Sequence, residues 1–301
     1  MIRLALFDVG ETLIHEHRPL PHVPDALRVL GGFQTSEGAP LFCGVVSNFK
    51  TPSPPATPAK IAALESEFAA ILAETGLHEF FTPIERHVTT STRAGVLKPD
   101  RRIFEFAVSR SGISAALKEC LFVTEEESHL AACRGLGMSV LRFGGGSGLQ
   151  PSFQDWRHAP LLIAEIIGGE QSDNVLAAAD FYLQASQGLR GFEGTRSGRT
   201  LHGQAQQALP MTSPTLGPVS GVLVDVPVEV WLDLQADGDV ADLGVGQPSD
   251  EAIEDCLGFV KSLLDNRQIA LPGQSDAGTT HVLDVAPDGS RRLVRKRYSF
   301  M

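Results

Sequence analysis

Short apolar runs and helical periodicities alternate through the first 145 residues. Leu4 to Phe7 is an apolar run that stops at Asp8, and Leu41 to Val46 stops at Ser47-Asn48. Cys120 to Val123 stops at Thr124-Glu125, and Ser139 to Phe143 makes a fourth run. Runs of about 4–8 apolar residues bounded by turn signals suit strands buried on both faces, as in parallel sheets. Between them, Ile61, Leu64, Phe68, Ile71 and Leu72 recur at helical spacing up to Gly76. Asp100 to Ser111 repeats that pattern, and Glu125 to Leu136 opens on acids that suit the positive end of a helix dipole. The alternation predicts an α/β fold, a doubly wound parallel sheet.

Past residue 145 the pattern changes. Gly144-Gly145-Gly146-Ser147-Gly148 lacks phosphate-loop spacing and reads as a loop. Residues 159–168 and 173–186 read as helices, whereas 187–220, rich in Gly, Ser, Thr, Gln and Pro, read as a flexible linker. Val222 to Leu234 and Val240 to Val245 flank Asp237-Gly238, and His281 to Val285 and Leu293 to Tyr298 flank Asp288-Gly289; both are hairpin signals. A helix from Asp250 to about Leu264, capped by Ser249, lies between them. The expected division is an α/β domain over 1–170, a helix and linker over 171–220, and a small α+β domain over 221–301. The basic run Arg291, Arg292, Arg295, Lys296, Arg297 reads as an edge strand guarded against aggregation.

Composition narrows the class. With 43% hydrophobic and 20% charged residues, the chain is an ordinary globular sequence, which excludes a wholly disordered one. No run approaches the roughly 20 apolar residues of a membrane helix, and the first residues lack a signal-peptide layout, so the expectation is a cytoplasmic protein without a membrane partner. A net charge of -11 argues against nucleic acid as a partner. The four cysteines are widely spaced, without a C-x-x-C pair, which fits buried hydrophobes rather than zinc.

Polar groups gather where the predicted strands end, the place where open α/β sheets put their sites. They are Asp8 in FDVGETL, Ser47-Asn48 in GVVSNF, Lys98 in GVLKPDRRIF, and Thr124-Glu125-Glu126 in CLFVTEEESHLAACRGLGM. Singly, each is common turn or helix-start chemistry; their order and shared location are the signal. On these motifs, residues 1 to about 145 resemble the haloacid dehalogenase-like (HAD) superfamily of hydrolases, whose pattern runs hhhhDxDGTL, hhhhS/TN, GxxKPDPxIF, hhhGDxxxxD. The resemblance implies a Rossmann-like HAD fold, with Asp8 as the nucleophile that forms an aspartyl-phosphate and Lys98 as the balancing cation. It implies a phosphate-holding group of Ser47, Asn48 and Thr12. It also implies a Mg2+ site drawn from Asp8, Gly10 and either Glu125 or Glu126.

Two departures limit what the resemblance carries. The second Asp of the first motif is Gly10, and a missing acid/base group removes about 10²–10⁴-fold in rate. Glu11 is adjacent but points elsewhere. In the fourth motif Gly-Asp becomes Thr124-Glu125, and the later acid is absent unless Glu127 or His129 stands in. His129 itself reads as a helix residue. The expected function is a Mg-dependent, phosphatase-type hydrolase acting on a phosphate ester or acyl phosphate, small or bulky. The alternative is a catalytically impaired scaffold that binds a ligand, or a protein partner through its C-terminal module.

Overall fold

The computed structural model describes residues 1–144, 151–168, 172–235, 238–271 and 278–296. It divides into two compact units, the first comprising Met1–Ala185 with Leu234–Ala241 and the second Ser186–Asp233 with Asp242–Met301.

The first unit is built on six parallel strands: β1 (Leu4–Phe7), β2 (Phe42–Ser47), β3 (Val88–Thr90), β4 (Cys120–Thr124), β5 (Ser139–Phe143) and β6 (Ser152–Phe153). They lie in the order 3-2-1-4-5-6, every pair parallel. This is a doubly wound Rossmann-like sheet, whose order reverses at β1. All four side chains of β1 are buried, which is why its sequence is apolar without alternation. Leu4 and Leu6 join Phe104, Phe122, Leu130 and Cys133 in one core layer. On the other face, Phe7 packs near Trp156, ring centroids 6.1 Å apart. Burial pushes the thiols of Cys120 and Cys133 up to about 12, so both behave as small hydrophobes.

The helices that cover the sheet begin where the sequence supplies caps. The helix Pro58–Glu74 starts with Thr57, whose hydroxyl accepts from the Lys60 N–H, and with proline at its first position. Asp100 accepts from the Arg102 N–H at the head of Arg101–Ser111. Ahead of that helix, the single turn Ser91–Ala94 stops at Gly95, which sits at φ 71°, a left-handed conformation that a side chain would strain. Val88–Thr90 and Ser152–Phe153 are absent from the pattern-based reading because three- and two-residue strands leave no periodicity to detect.

The second unit carries β7 (Arg190–Ser197), β8 (Thr200–Met211), β9 (Val222–Leu234), β10 (Val240–Val245), β11 (Ile269–Ala270), β12 (His281–Val285) and β13 (Arg291–Arg295). The sheet runs β11-β12-β13-β9-β8-β7, with β10 also pairing β9. Val260 and Leu263 of the helix Asp250–Asp265 pack on it with Val222, Val226 and Met211. Two expectations are corrected here. The linker expected before residue 220 holds strands β7 and β8, which pair from Thr200↔Ser197 outward. Leu201, Ala205 and Met211 bury one side of β8, while glycine and glutamine between them mask the alternation. The first unit therefore extends to Ala185 rather than to 170.

The basic strand is not an edge either: β13 lies between β12 and β9. Its arginines serve structure, Arg291 donating to the carbonyls of Pro218 and Ser220, and Arg292 pairing with Asp225. Most of the glycine cluster, together with Asp237, Arg297 and the final residues, falls outside the described residues. Among the described residues, no helix is long and apolar enough to cross a membrane.

Candidate active site

Strand register decides which groups meet. Phe7 is level with Val45 on β2 and with Val123 on β4. One step further along, Asp8 stands beside Thr124, and Ser47 follows at the end of β2, where it aligns with Thr90. The N–H of Asp8 donates to the carbonyl of Val123 at 2.9 Å, extending the ladder by one rung.

Lys98 arrives from the loop beyond Gly95. Asn48 fixes it by its backbone: the Lys98 N–H donates to Asn48 Oδ1 at 2.7 Å, and Asn48 Nδ2 donates to the Lys98 carbonyl at 3.3 Å. Lys98 Nζ then lies 2.5 Å from Asp8 Oδ1, with the two side chains only 1% and 10% exposed. Asp8 Oδ1 also accepts the Val9 N–H at 2.8 Å, and Oδ2 accepts the Thr124 hydroxyl at 3.0 Å. Burial lowers the Lys98 ammonium from its ordinary 10.5, while the Asp8 carboxylate pulls it back up.

Of the two candidate acids, Glu125 bonds the buried hydroxyls of the site, whereas Glu126 caps the next helix within electrostatic reach of Lys98 and His129. Glu125 Oε2 accepts from the Thr12 hydroxyl and from the Thr124 hydroxyl, and its N–H donates to Thr12 Oγ1 at 3.3 Å. Glu126 instead caps the helix Glu127–Gly135, accepting from the Ser128 hydroxyl at 2.9 Å and from its N–H. Those bonds hold its carboxyl below the usual range. Two members of the expected phosphate-holding group already have protein partners. The Thr12 hydroxyl is fully buried and committed to Glu125, and the Asn48 amide is committed to Lys98. The Ser47 hydroxyl makes, among the described residues, a single long bond of 3.4 Å to the Asn48 carbonyl. Gly10 is exposed, with nothing within 4 Å of where a Cβ would stand. Neighbouring Glu11 pairs with His15 at 2.7 Å.

Asp8 and Glu125 both reach the single Thr124 hydroxyl, so two carboxylates converge against one cation, Lys98. Among the described residues no three His, Cys, Asp or Glu side chains gather as a metal cluster. Magnesium, however, is commonly held by one or two carboxylates, with water and substrate phosphate completing its shell. The oxygen donors and the excess negative charge fit that kind of cation.

His129 is the residue the sequence reading underrated. It sits in the first turn of the helix Glu127–Gly135, and its buried Nδ1 has no hydrogen-bond partner among the described residues, 3.9 Å from Asp8 Oδ2. Burial, then the nearby Lys98 charge, lower its pKa from the ordinary 6.5, so the ring is neutral at pH 7. A neutral imidazole can take a proton, the task Gly10 cannot perform. Activity that depends on it falls as acid protonates the ring, with the acid limb below pH 6.5. In His129→Gln that limb should vanish from a pH–rate profile, with turnover down about 10²-fold. An unchanged profile would remove His129 from the chemistry. Its only sequence signal was its position, four residues after Glu125.

The doubly wound sheet thus gathers a carboxylate, an ammonium and a second acid at its strand ends. No protein-family model matches the chain, and no curated protein does. Among solved structures it is similar to a HAD family hydrolase from Deinococcus radiodurans R1 with bound phosphate and sodium. That likeness has 13% identity and a TM-score of 0.37, and covers 55% of this chain and 96% of that one. A conserved haloacid dehalogenase-like protein of unknown function from Agrobacterium tumefaciens is similar at 14% identity and TM-score 0.39, over 55% and 99% of the two chains. The L-2-haloacid dehalogenase from Xanthobacter autotrophicus shares 16% identity at TM-score 0.35, over 60% and 88%.

Proposed function

We propose that the first unit is a HAD-like hydrolase that uses Asp8 as a covalent nucleophile on an acyl phosphate or a phosphate ester with an equally good leaving group. The observation that carries this is the buried Asp8–Lys98 pair at the carboxyl end of the sheet. A carboxylate and an ammonium held 2.5 Å apart and almost dry are electrostatically costly, and such pairs concentrate at reactive sites.

Asp8 attacks phosphorus, and the phosphorus–oxygen bond to the leaving group breaks. An acyl carboxylate leaves as a stable anion without a proton, which suits a site with Gly10 in place of an acid. Water then attacks the aspartyl-phosphate, passing its proton to His129, and the bond to Asp8 breaks. Lys98 offsets negative charge on the nucleophile and on the transferring group. Asp8 and Glu125 would hold Mg2+, which when bound reduces repulsion between an anionic nucleophile and an anionic substrate. Ser47 would hold a phosphoryl oxygen.

The test is turnover of acetyl phosphate beside alkyl phosphate monoesters, with Mg2+ and with chelator, in the wild type and in Gly10→Asp. The wild type should hydrolyse acetyl phosphate and leave alkyl esters nearly untouched. Open space around Gly10 lets an aspartate enter without a clash. Gly10→Asp should therefore raise alkyl-ester turnover by about 10²–10⁴-fold. If neither protein exceeds buffer on any substrate, the proposal fails, and the impaired-scaffold reading that Gly10 favours takes its place.

A further inference from the structure

Outside the active site, a surface cleft of about 560 Å³ lies in the first unit, lined by Ala69, Glu65, Ile84, Glu85, Arg93 and Arg110 among others. Its charges are unevenly matched. Arg93 holds Glu65 with two hydrogen bonds, Nε to Oε1 at 2.7 Å and Nη2 to Oε2. That bidentate fork engages both oxygens of Glu65. Arg110, with a side chain 16% exposed, approaches the same carboxylate only at 3.8 Å. Its Nη2 makes one long bond of 3.4 Å to the Ile84 carbonyl, and its buried Nε has no hydrogen-bond partner among the described residues. A guanidinium has five N–H donors, and leaving them unmet in a poorly hydrated place costs free energy. The groups facing it are Glu65, Arg93 and Glu85, together with Phe106, whose ring centre lies 5.8 Å away.

We propose that this cleft is a second, ancillary binding site that takes a small monocarboxylate with a short apolar body, its carboxylate received by Arg110. A planar carboxylate matches the guanidinium fork. Ala69 and Ile84 offer apolar wall for the carbon chain. Arg93 already offsets Glu65, so a ligand faces the charges of Arg110 and Glu85: one carboxylate can be received by Arg110, whereas a phosphate dianion brings a second negative charge that meets Glu85. The site is independent of the chemistry proposed for Asp8. It borders the turn Ser91–Ala94, whose Ser91 and Thr92 hydroxyls bond the backbone of Phe49 and Lys50.

The probe is butyrate, titrated calorimetrically into the whole protein. Wild type should bind one equivalent saturably, with Kd of about 1 mM. Arg110→Gln should weaken it about tenfold or more, the loss of a charge-assisted contact. Glu85→Gln, which removes a like charge, should tighten it. Ala69→Phe fills the cleft, leaves Arg110 in place and should also abolish binding; it carries the test if Arg110→Gln fails to fold. Inorganic phosphate should not displace butyrate. Absence of saturable binding, binding indifferent to both Arg110→Gln and Ala69→Phe, or tighter binding of phosphate to the same cleft would each overturn the proposal.

Discussion

Asp8→Asn loses turnover by about 10⁴-fold or more, the scale seen when a covalent nucleophile is removed, and it loses stability at the same time. The two effects share one cause. Asparagine cannot form the covalent intermediate, and it leaves the Lys98 ammonium, 1% exposed, without the counter-charge that sits 2.5 Å away in the native protein. Removing one partner of a buried pair costs about 3–5 kcal/mol. In a unit of this size that is a fall in melting temperature of roughly 6–20 °C. The sign of its pH dependence follows from linkage. Burial already lowers Lys98 from 10.5, and loss of Asp8 removes the largest influence raising it. The folded variant then sheds a proton that the unfolded chain keeps, so its stability rises with pH up to about 10.5. The deficit should be larger at pH 6 than at pH 9 in denaturant titrations. Full activity in the variant would end the nucleophile assignment; full stability at pH 6 would show that Lys98 has another partner.

Trp156→Ala should destabilise the fold about as much as Asp8→Asn, through packing instead of charge. Trp156 is 1% exposed, and its ring meets Phe153 edge-on at 5.2 Å, with Phe7 and Phe143 each at 6.1 Å. Its Nε1 donates to the Thr12 carbonyl at 2.9 Å. Truncation opens a cavity and strands that carbonyl, a cost of about 3–5 kcal/mol. Trp156→Phe keeps a ring in place but drops the hydrogen bond, for about 1–3 kcal/mol. Urea midpoints should fall in that order with unchanged slopes. Turnover per folded molecule should fall too, because Thr12 is the residue that holds Glu125. If Trp156→Ala unfolds like wild type, the aromatic cluster is not part of this core.

These two residues mark what could be read without coordinates. Asp8 was legible because an acid ending a wholly apolar run is an abrupt change in a strand buried on both faces. Lys98 was legible through GVLKPDRRIF, a motif close to the HAD pattern. Trp156 was invisible: it lies beyond the last motif, in a segment with no periodicity, and its role comes from a hydrogen bond 144 residues back along the chain. Residues 187–220 misled for a different reason. Strand β8 alternates small and polar residues, so composition resembled a linker while the pairing with β9 supplied the order.

The sequence alone determined the parallel α/β sheet of the first unit, the two hairpin-flanking strand pairs of the second, and the nucleophile–cation candidates, because apolar runs and local caps act over a few residues. Tertiary structure decided the rest. It set Glu125 against the hydroxyls of Thr12 and Thr124 while Glu126 caps the next helix, joined Thr12 to Glu125 and Asn48 to Lys98, and brought His129 to Asp8. Those choices depend on strand register and helix rotation, which set where a side chain points across 50 to more than a hundred residues of intervening chain. Local pattern carries no information about distances of that kind.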